Sequence, residues 1–256
     1  MTPLAYDRRG SGPTLVLIHG LGSHRQVWTP VLDAAAATRD VIAVDLPGFG
    51  ESAPDGGDGS VAALADRLES FLDDLGVGRY TVAGSSMGGG VALELGRRGR
   101  ADAVTAFAPI GFWSGTGRRW AQSVVTAARV AATRLDRRLP AIMAAPAGRA
   151  AFCSLFYAHP RRLDPAGCVA AARALATAPG FGAARDAFRW FAPPTVDHIP
   201  VTIAWGTRDA VLPFPQSRRA RAILPGARHV TLRGCGHLPF ADDPAACLAA
   251  LSGSAR

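Results

Sequence analysis

Six short apolar runs limit what this chain can become: Thr14 to Ile18, Val41 to Val44, Tyr80 to Ala83, Ala103 to Phe107, Val201 to Trp205 and His229 to Leu232. Runs of this length, rich in β-branched residues and bounded by Gly, Pro or Asp, read as buried strands rather than helices. Helical patterns fill most of the intervals. They cover about Arg25 to Ala37, then Leu64, Leu68, Leu72 and Leu75 behind a Ser60 N-cap, a stretch to about Arg97, Gln216 to Ile223, and a last helix opened by Asp243-Pro244. Alternation of strand with helix builds an α/β fold with a mostly parallel, doubly wound sheet covered on both faces. From about Phe112 to Thr195 the alternation stops and every pattern is helical, including a long amphipathic stretch near Arg118 to Leu139 and another from Asp164-Pro165 to Ala178. The expected organisation is a core of residues 1–112 and 196–256 with a helical cap inserted at 113–195.

At 256 residues and 48% hydrophobic composition, the chain has enough apolar surface for one large core. No apolar run approaches the ~18 residues that cross a bilayer, and the first residues lack a signal-peptide pattern, so the expectation is a cytoplasmic protein with no membrane partner. Four cysteines, Cys153, Cys168, Cys235 and Cys247, lie far apart without a C-x-x-C spacing or a histidine cluster, which indicates neither a disulfide framework nor a metal site. No cofactor motif is present. All 28 basic residues are arginine, as a GC-rich coding bias produces, and the net charge is +8. Segment 114–199 alone holds 12 arginines against 4 acids, so the excess charge is concentrated there. Without a recognition motif or an aromatic platform, that charge does not indicate a nucleic-acid partner. A small-molecule substrate is the expected partner, with oligomeric state left open.

In a parallel sheet the loops after the strands gather at one edge, so residues far apart in sequence can meet there. After Ala83 comes Gly84-Ser85-Ser86-Met87-Gly88, in which glycines bracket Ser86 as G-x-S-x-G; Ser85 lacks that bracket. After Trp205 comes Gly206-Thr207-Arg208-Asp209, and after Leu232 comes Gly234-Cys235-Gly236-His237. A serine hydroxyl is a weak nucleophile near neutral pH and needs a base, which His237 supplies; Asp209 would orient the imidazole and stabilise its charged form.

Five segments, HGLG at 19–22, DLPGFGES at 45–52, GSSMGG at 84–89, GTRDAVLP at 206–213 and GCGHLPF at 234–240, together with the order nucleophile, acid, base, resemble the α/β-hydrolase superfamily, and in particular a small, capped bacterial member. The resemblance implies an oxyanion hole from the backbone N–H groups of Leu21 and Met87, with His19 orienting the first of these loops. A serine at 86 separates the chain from the haloalkane dehalogenase and epoxide hydrolase branches, which carry aspartate there. The short stretch before Thr14 leaves room for one strand where the family often has two. No carboxylate follows Phe107 in Ala108-Pro109-Ile110-Gly111, which leaves Asp209 as the acid.

The expected activity is hydrolysis of a carboxylic ester, thioester or lactone through an acyl-enzyme. Two alternatives stand beside it: a C–C bond hydrolase of diketones, whose elbow also reads S-M-G-G but commonly has Asn where this chain has Ser85, and a small-molecule receptor. His24, Trp113, Phe156, Trp190 and Leu238 are expected to line the substrate pocket. On the long cap helix Arg118, Arg119, Arg129, Arg134, Arg137 and Arg138 project to one side and Trp120, Val124, Leu135 and Leu139 to the other. This predicts a solvated arginine face, an apolar roof and an uncharged, largely apolar acyl group beneath it.

Overall fold

Each of the six runs forms a strand, and one further strand precedes them, in a computed structural model that describes residues 3–252. Residues 1–2 and 253–256 of the expected core segments lie outside the described residues. The strands are β1 Tyr6–Arg9, β2 Thr14–Ile18, β3 Asp40–Val44, β4 Tyr80–Ser85, β5 Ala101–Phe107, β6 Val201–Gly206 and β7 Arg228–Leu232. They form one seven-stranded sheet in the order β1-β3-β2-β4-β5-β6-β7. Only β1 runs antiparallel, pairing Tyr6 with Val44 at the edge; the other pairs are parallel. The short N-terminal stretch thus contributes a single strand.

Burial on both faces follows from side-chain alternation along each strand. Val16, Ile18, Ile42 and Val44 enter one apolar layer, with Leu64, Leu68 and Val91 from α2 (Val61–Asp74) and α3 (Met87–Arg98). Leu15, Leu17, Val41 and Ala43 enter the opposite layer. There α1 (Thr29–Ala36), with the 3-10 turn Arg25–Trp28 before it, packs across the sheet, and Trp28 lies 4.1 Å, centroid to centroid, from Phe240. Ser60 caps α2 by accepting from the Ala63 N–H at 3.2 Å.

Between β5 and β6 the chain forms α4 (Gly115–Leu135), α5 (Leu139–Ala144), α6 (Pro146–Cys153), α7 (Pro165–Thr177) and α8 (Phe181–Ala187); α9 (Gln216–Ile223) and α10 (Pro244–Ser252) follow later. Ser114 and Asp164 cap α4 and α7 by accepting from the N–H groups of Gly117 and Gly167. The long helix expected to reach Leu139 ends at Leu135 instead. Pro140 has no N–H to give and its ring collides with a helical carbonyl four residues earlier, so the chain passes through a 3-10 turn at Asp136–Arg138 and restarts.

The expected faces hold in part: Arg119, Arg134, Arg137 and Arg138 are exposed, and Val124, Leu135 and Leu139 pack inward, while two residues depart. Ala121, Val125 and Ala132 make the buried stripe of α4, whereas Trp120 is 51% exposed and anchored only by its indole N–H, which donates to the Ala210 carbonyl at 3.0 Å. Arg129, expected among the solvated arginines, instead lies over the Phe181 ring at 4.7 Å and donates to the Ala178 carbonyl. The ring and the carbonyl come from a distant segment, so the contact outweighs solvation of the cation.

The helical segment sits over the carboxyl edge of the sheet through a few backbone bonds. Leu238 N–H donates to the Phe156 carbonyl at 2.8 Å, and Gly180 N–H to the Gly48 carbonyl at 3.0 Å. The Asp242 carboxylate accepts from the N–H groups of Ala158, His159 and Gly236. Among the described residues no helix is long and apolar enough to cross a membrane.

Candidate active site

Ser86 stands alone between the end of β4 and the start of α3, with φ 55° and ψ −113°. Positive φ is costly for a residue with a Cβ, so the surroundings must impose it. They do so by anchoring both sides of the peptide. Ser86 N–H donates to the Phe107 carbonyl at 2.9 Å, and the Ser86 carbonyl accepts from Gly90 and Ile110. The flanking glycines are required by close backbone approach. A Cβ at Gly84 would fall 1.9 Å from the Gly88 carbonyl oxygen, and one at Gly88 2.3 Å from that of Ile18. Ser86 lines a cavity that Ser85 does not reach; the Ser85 hydroxyl is buried without a hydrogen-bond partner among the described residues.

The Asp209 carboxylate is fully buried and triply held. Oδ1 accepts from the N–H groups of Val211 and Leu212 at 2.9 and 2.8 Å, and Oδ2 lies 2.9 Å from His237 Nδ1. An ionised carboxylate only accepts, so Nδ1 carries the proton and Nε2 keeps its lone pair. His237 lines the same cavity as Ser86. The loops carrying the acid and the histidine meet backbone to backbone, because a Cβ at Gly206 would lie 2.2 Å from the Gly236 carbonyl oxygen.

Met87 is the first residue of α3, so its amide has no acceptor within the helix. Leu21 lies on the loop that touches the serine: a Cβ on Gly20 would sit 3.1 Å from that of Ser86. Behind this loop, buried His19 donates from Nδ1 to the Gly20 carbonyl at 2.7 Å, and the Leu46 N–H donates to Nε2 at 3.0 Å. Burial lowers the His19 pKa to about 4, so the ring is neutral and its tautomer fixed near pH 7. The expected orienting contact is therefore present.

Asp45, the acid of DLPGFGES just after β3, has a role that its local sequence does not reveal. Its buried carboxylate accepts from the N–H groups of Arg25 and Glu51 and pairs with the Arg25 guanidinium, which also reaches Glu51 at 2.9 Å and Asp7 at 3.3 Å. Partners scattered from 7 to 51 leave no local signature, although a conspicuous acid at a strand end was the available hint.

The cavity has a volume of about 820 Å³. His24, Trp113, Phe156 and Leu238 line it, as does Leu21. Trp190 does not: it is 82% exposed, on a 3-10 turn, with the Arg189 guanidinium 5.7 Å above its ring. Helical spacing had no means of telling which aromatic faces inward. Much of the wall is instead the alanine face of α7, with Ala170, Ala171, Ala174 and Leu175. No arginine is among the lining residues, whereas Asp45, Glu51 and Asp164 are.

Residues 15–250 match the model of the Alpha/beta hydrolase family. An uncharacterized protein of Mycobacterium tuberculosis is 33% identical over 269 aligned residues, covering 94% of this chain and 74% of that one. A pimeloyl-[acyl-carrier protein] methyl ester esterase of Nitrosomonas europaea is 38% identical over 98 residues, covering 37% of this chain and 36% of that one. Among solved structures, a bacterial membrane phospholipase A superposes with a TM-score of 0.76 at 26% identity, covering 98% of this chain and 83% of that one.

Proposed function

Because this chain belongs to the alpha/beta hydrolase family and is a hydrolase, we propose that it cleaves a carboxylic ester, thioester or lactone bearing an uncharged, largely apolar acyl group. One observation carries the reading: Ser86, held at positive φ, opens on the same cavity as His237, whose ring is oriented by buried Asp209. In this reading Ser86 Oγ attacks the acyl carbon while His237 Nε2 takes the hydroxyl proton, and Asp209 stabilises the imidazolium. The amides of Met87 and Leu21 receive the oxyanion, and His19 holds the Leu21 loop against the elbow. His237 then returns the proton to the leaving group, and water, deprotonated by the same ring, releases the acid.

Residues 113–195 act as a cap over a core of 1–112 and 196–256. An apolar wall that no arginine lines supports a neutral acyl group over an anionic one. His24, Trp113, Phe156 and Leu238 are the proposed contacts. The esterase named for the Nitrosomonas relative and the phospholipase named for the structural neighbour support acyl chemistry.

The test is covalent labelling by a fluorophosphonate followed by a panel of esters, thioesters, lactones and diketones. Ser86→Ala abolishes labelling and acyl turnover, whereas Ser85→Ala remains labelled. Diketone cleavage without ester turnover would move the assignment to C–C hydrolysis, and tight binding without turnover of any class would move it to a receptor. Matched neutral and carboxylate-bearing esters, assayed across salt concentrations, separate attraction by the outer arginines, which salt screens, from a cation inside the cavity.

A further inference from the structure

The peptide unit that carries the Leu21 N–H also carries the Gly20 carbonyl, and in a planar trans peptide the two groups point in opposite directions. Whatever holds that carbonyl therefore aims that amide. The Gly20 oxygen accepts from Ser23 N–H at 3.1 Å and from His19 Nδ1 at 2.7 Å. Leu21 and Gly22 are the central residues of the turn so closed, with Gly22 at φ 70°, a conformation that suits a residue without a Cβ. Gly20 itself lies against the elbow, where an added Cβ would sit 3.7 Å from Ser86 Oγ.

Such a turn is only as fixed as its two ends, and both ends are tied to the residues that follow β3. At the first, His19 Nε2 accepts from Leu46 N–H at 3.0 Å. At the second, Arg25 N–H donates to Asp45 Oδ1 at 2.6 Å while the Arg25 guanidinium pairs with Oδ2. Asp45 has little freedom of its own. Its side chain is fully buried, and Oδ2 also accepts from Glu51 N–H at 2.9 Å. Its N–H donates to the Ala5 carbonyl at 2.9 Å, and its carbonyl accepts from the Ser52 hydroxyl at 2.8 Å. Gly50 supplies the necessary room, since a Cβ there would fall 2.2 Å from Asp45 Oδ2.

A buried ion pair adds little stability over apolar residues of the same volume, because desolvating both charges offsets their attraction. What a carboxylate supplies here is direction: two oxygens that accept from donors on separate loops. The other partners of Arg25 are more open to solvent. The Glu51 side chain is 71% exposed, and Asp7 lies 3.3 Å from Nε, which makes no hydrogen bond among the described residues.

We propose that Asp45 is a positioning residue for acyl transfer. Its carboxylate, through the amide and guanidinium of Arg25, fixes the second end of the 19–25 loop and so aims the Leu21 amide at the oxyanion. The proposal rests on the acyl-enzyme reading with Leu21 as one oxyanion donor. A loop anchored at His19 alone leaves that amide less time where charge develops, and the loss falls on the transition state rather than on substrate binding. Asparagine at 45 presents an NH2 group where a second carboxylate oxygen now accepts, so one of the donors facing it meets another donor.

The experiment compares the wild type with Asp45→Asn, with rates expressed per serine that a fluorophosphonate labels at completion. The kcat of Asp45→Asn on an ester falls about tenfold to a hundredfold, at or below the loss that follows removal of an oxyanion donor. KM and the acidic limb of the pH profile, which His237 sets, move by less than about twofold. The rate constant of phosphonylation falls with kcat, as does affinity for a trifluoromethyl ketone, because both place a developing oxyanion at the serine. Asp7→Asn, which removes a partly exposed neighbour of Arg25, leaves all of these within about twofold. An equal loss in Asp7→Asn, a rise in KM in place of the fall in kcat, or phosphonylation of Asp45→Asn at the wild-type rate overturns the proposal. If Asp45→Asn does not fold, Arg25→Gln decides, since it removes the guanidinium and keeps the amide: phosphonylation slower by about threefold or more supports the brace, and an unchanged rate overturns it. If the wild type is phosphonylated yet turns over no ester, thioester or lactone, that failure belongs to the substrate reading, and the phosphonylation rates still judge Asp45. A wild type that is not phosphonylated at all overturns the nucleophile and this proposal with it.

Discussion

At the sheet edge, Ser86, Asp209 and His237 are fixed by backbone hydrogen bonds and by glycines whose neighbours leave no room for a Cβ. The helical segment above them is attached differently. A few backbone bonds, such as Leu238 to Phe156 and Gly180 to Gly48, join it to the loops, and its own cluster is built from small side chains such as Ala132, Cys168 and Ala172. The difference separates two tasks. Groups proposed to react must be held within fractions of an ångström, and they sit where backbone geometry leaves one solution, while the cavity takes much of its wall from the helical segment.

The comparison breaks most visibly if a substitution in the helical segment matches one at the edge. Asp209→Asn is expected to lower kcat by about 10⁴-fold with little change in fold, because the amide no longer selects the tautomer with the proton on Nδ1. Trp190→Ala, which removes an exposed ring, should leave kcat/KM and the unfolding midpoint nearly unchanged. Steady-state kinetics on both variants, with circular dichroism as the control for folding, checks the pair. A large loss of turnover in the tryptophan variant would move the functional boundary into the helices.

Next in size is Gly88→Ala, where the added Cβ would lie 2.3 Å from the Ile18 carbonyl oxygen and 2.4 Å from that of His19. Those are main-chain atoms of β2 and of the loop that follows it, so neither can yield without disturbing the sheet. We expect a loss of about 3 to 5 kcal/mol in unfolding free energy, read by urea denaturation. A near-neutral result would mean that the elbow is more compliant than its contacts imply.

His19 gives the third test, through pH. Its folded-state pKa of about 4 lies below the ordinary 6.5 because burial opposes the charge. Between those values the unfolded chain binds a proton that the folded chain does not, so folding stability falls as the solution is acidified through this window. The contribution is fully present above pH 6.5 and on the order of 3 kcal/mol smaller near pH 4. Urea midpoints from pH 7.5 to 4.5 should fall more steeply for the wild type than for His19→Asn, which has no such proton to take up. Parallel profiles would show that the ring is charged, or solvated, in the folded state.

How much of this was legible in the sequence tracks the same division. The strands and the edge loops announced themselves, since β-branched runs and the glycines at 84, 88, 206 and 236 are local consequences of backbone packing. The end of α4 was also marked, by Pro140. Which helical faces would be covered was not. Periodicity defines a stripe, but exposed Trp120 and Trp190, and Arg129 drawn inward by Phe181, depend on what a distant segment brings alongside. The Arg25–Asp45 network was hidden for the same reason.

The smallest expected effect is a gain in the helical segment. Gly182 lies in α8, exposed, without positive φ, and a Cβ added there meets nothing within 4 Å. Alanine in place of an exposed helical glycine narrows the unfolded ensemble and costs the folded state no contact, so Gly182→Ala should stabilise by about 0.5 kcal/mol, the low end of the usual range because α8 is short. Activity should not change, since Gly182 is not among the residues lining the cavity. The informative part is where the gain shows. If helices and sheet unfold together, the far-ultraviolet and tryptophan-fluorescence midpoints rise by the same amount. If the helical segment opens first as its own unit, only the early transition moves, while Gly88→Ala shifts the late one. A Gly182→Ala variant as destabilised as Gly88→Ala would erase the distinction between a backbone-determined edge and a tolerant segment above it.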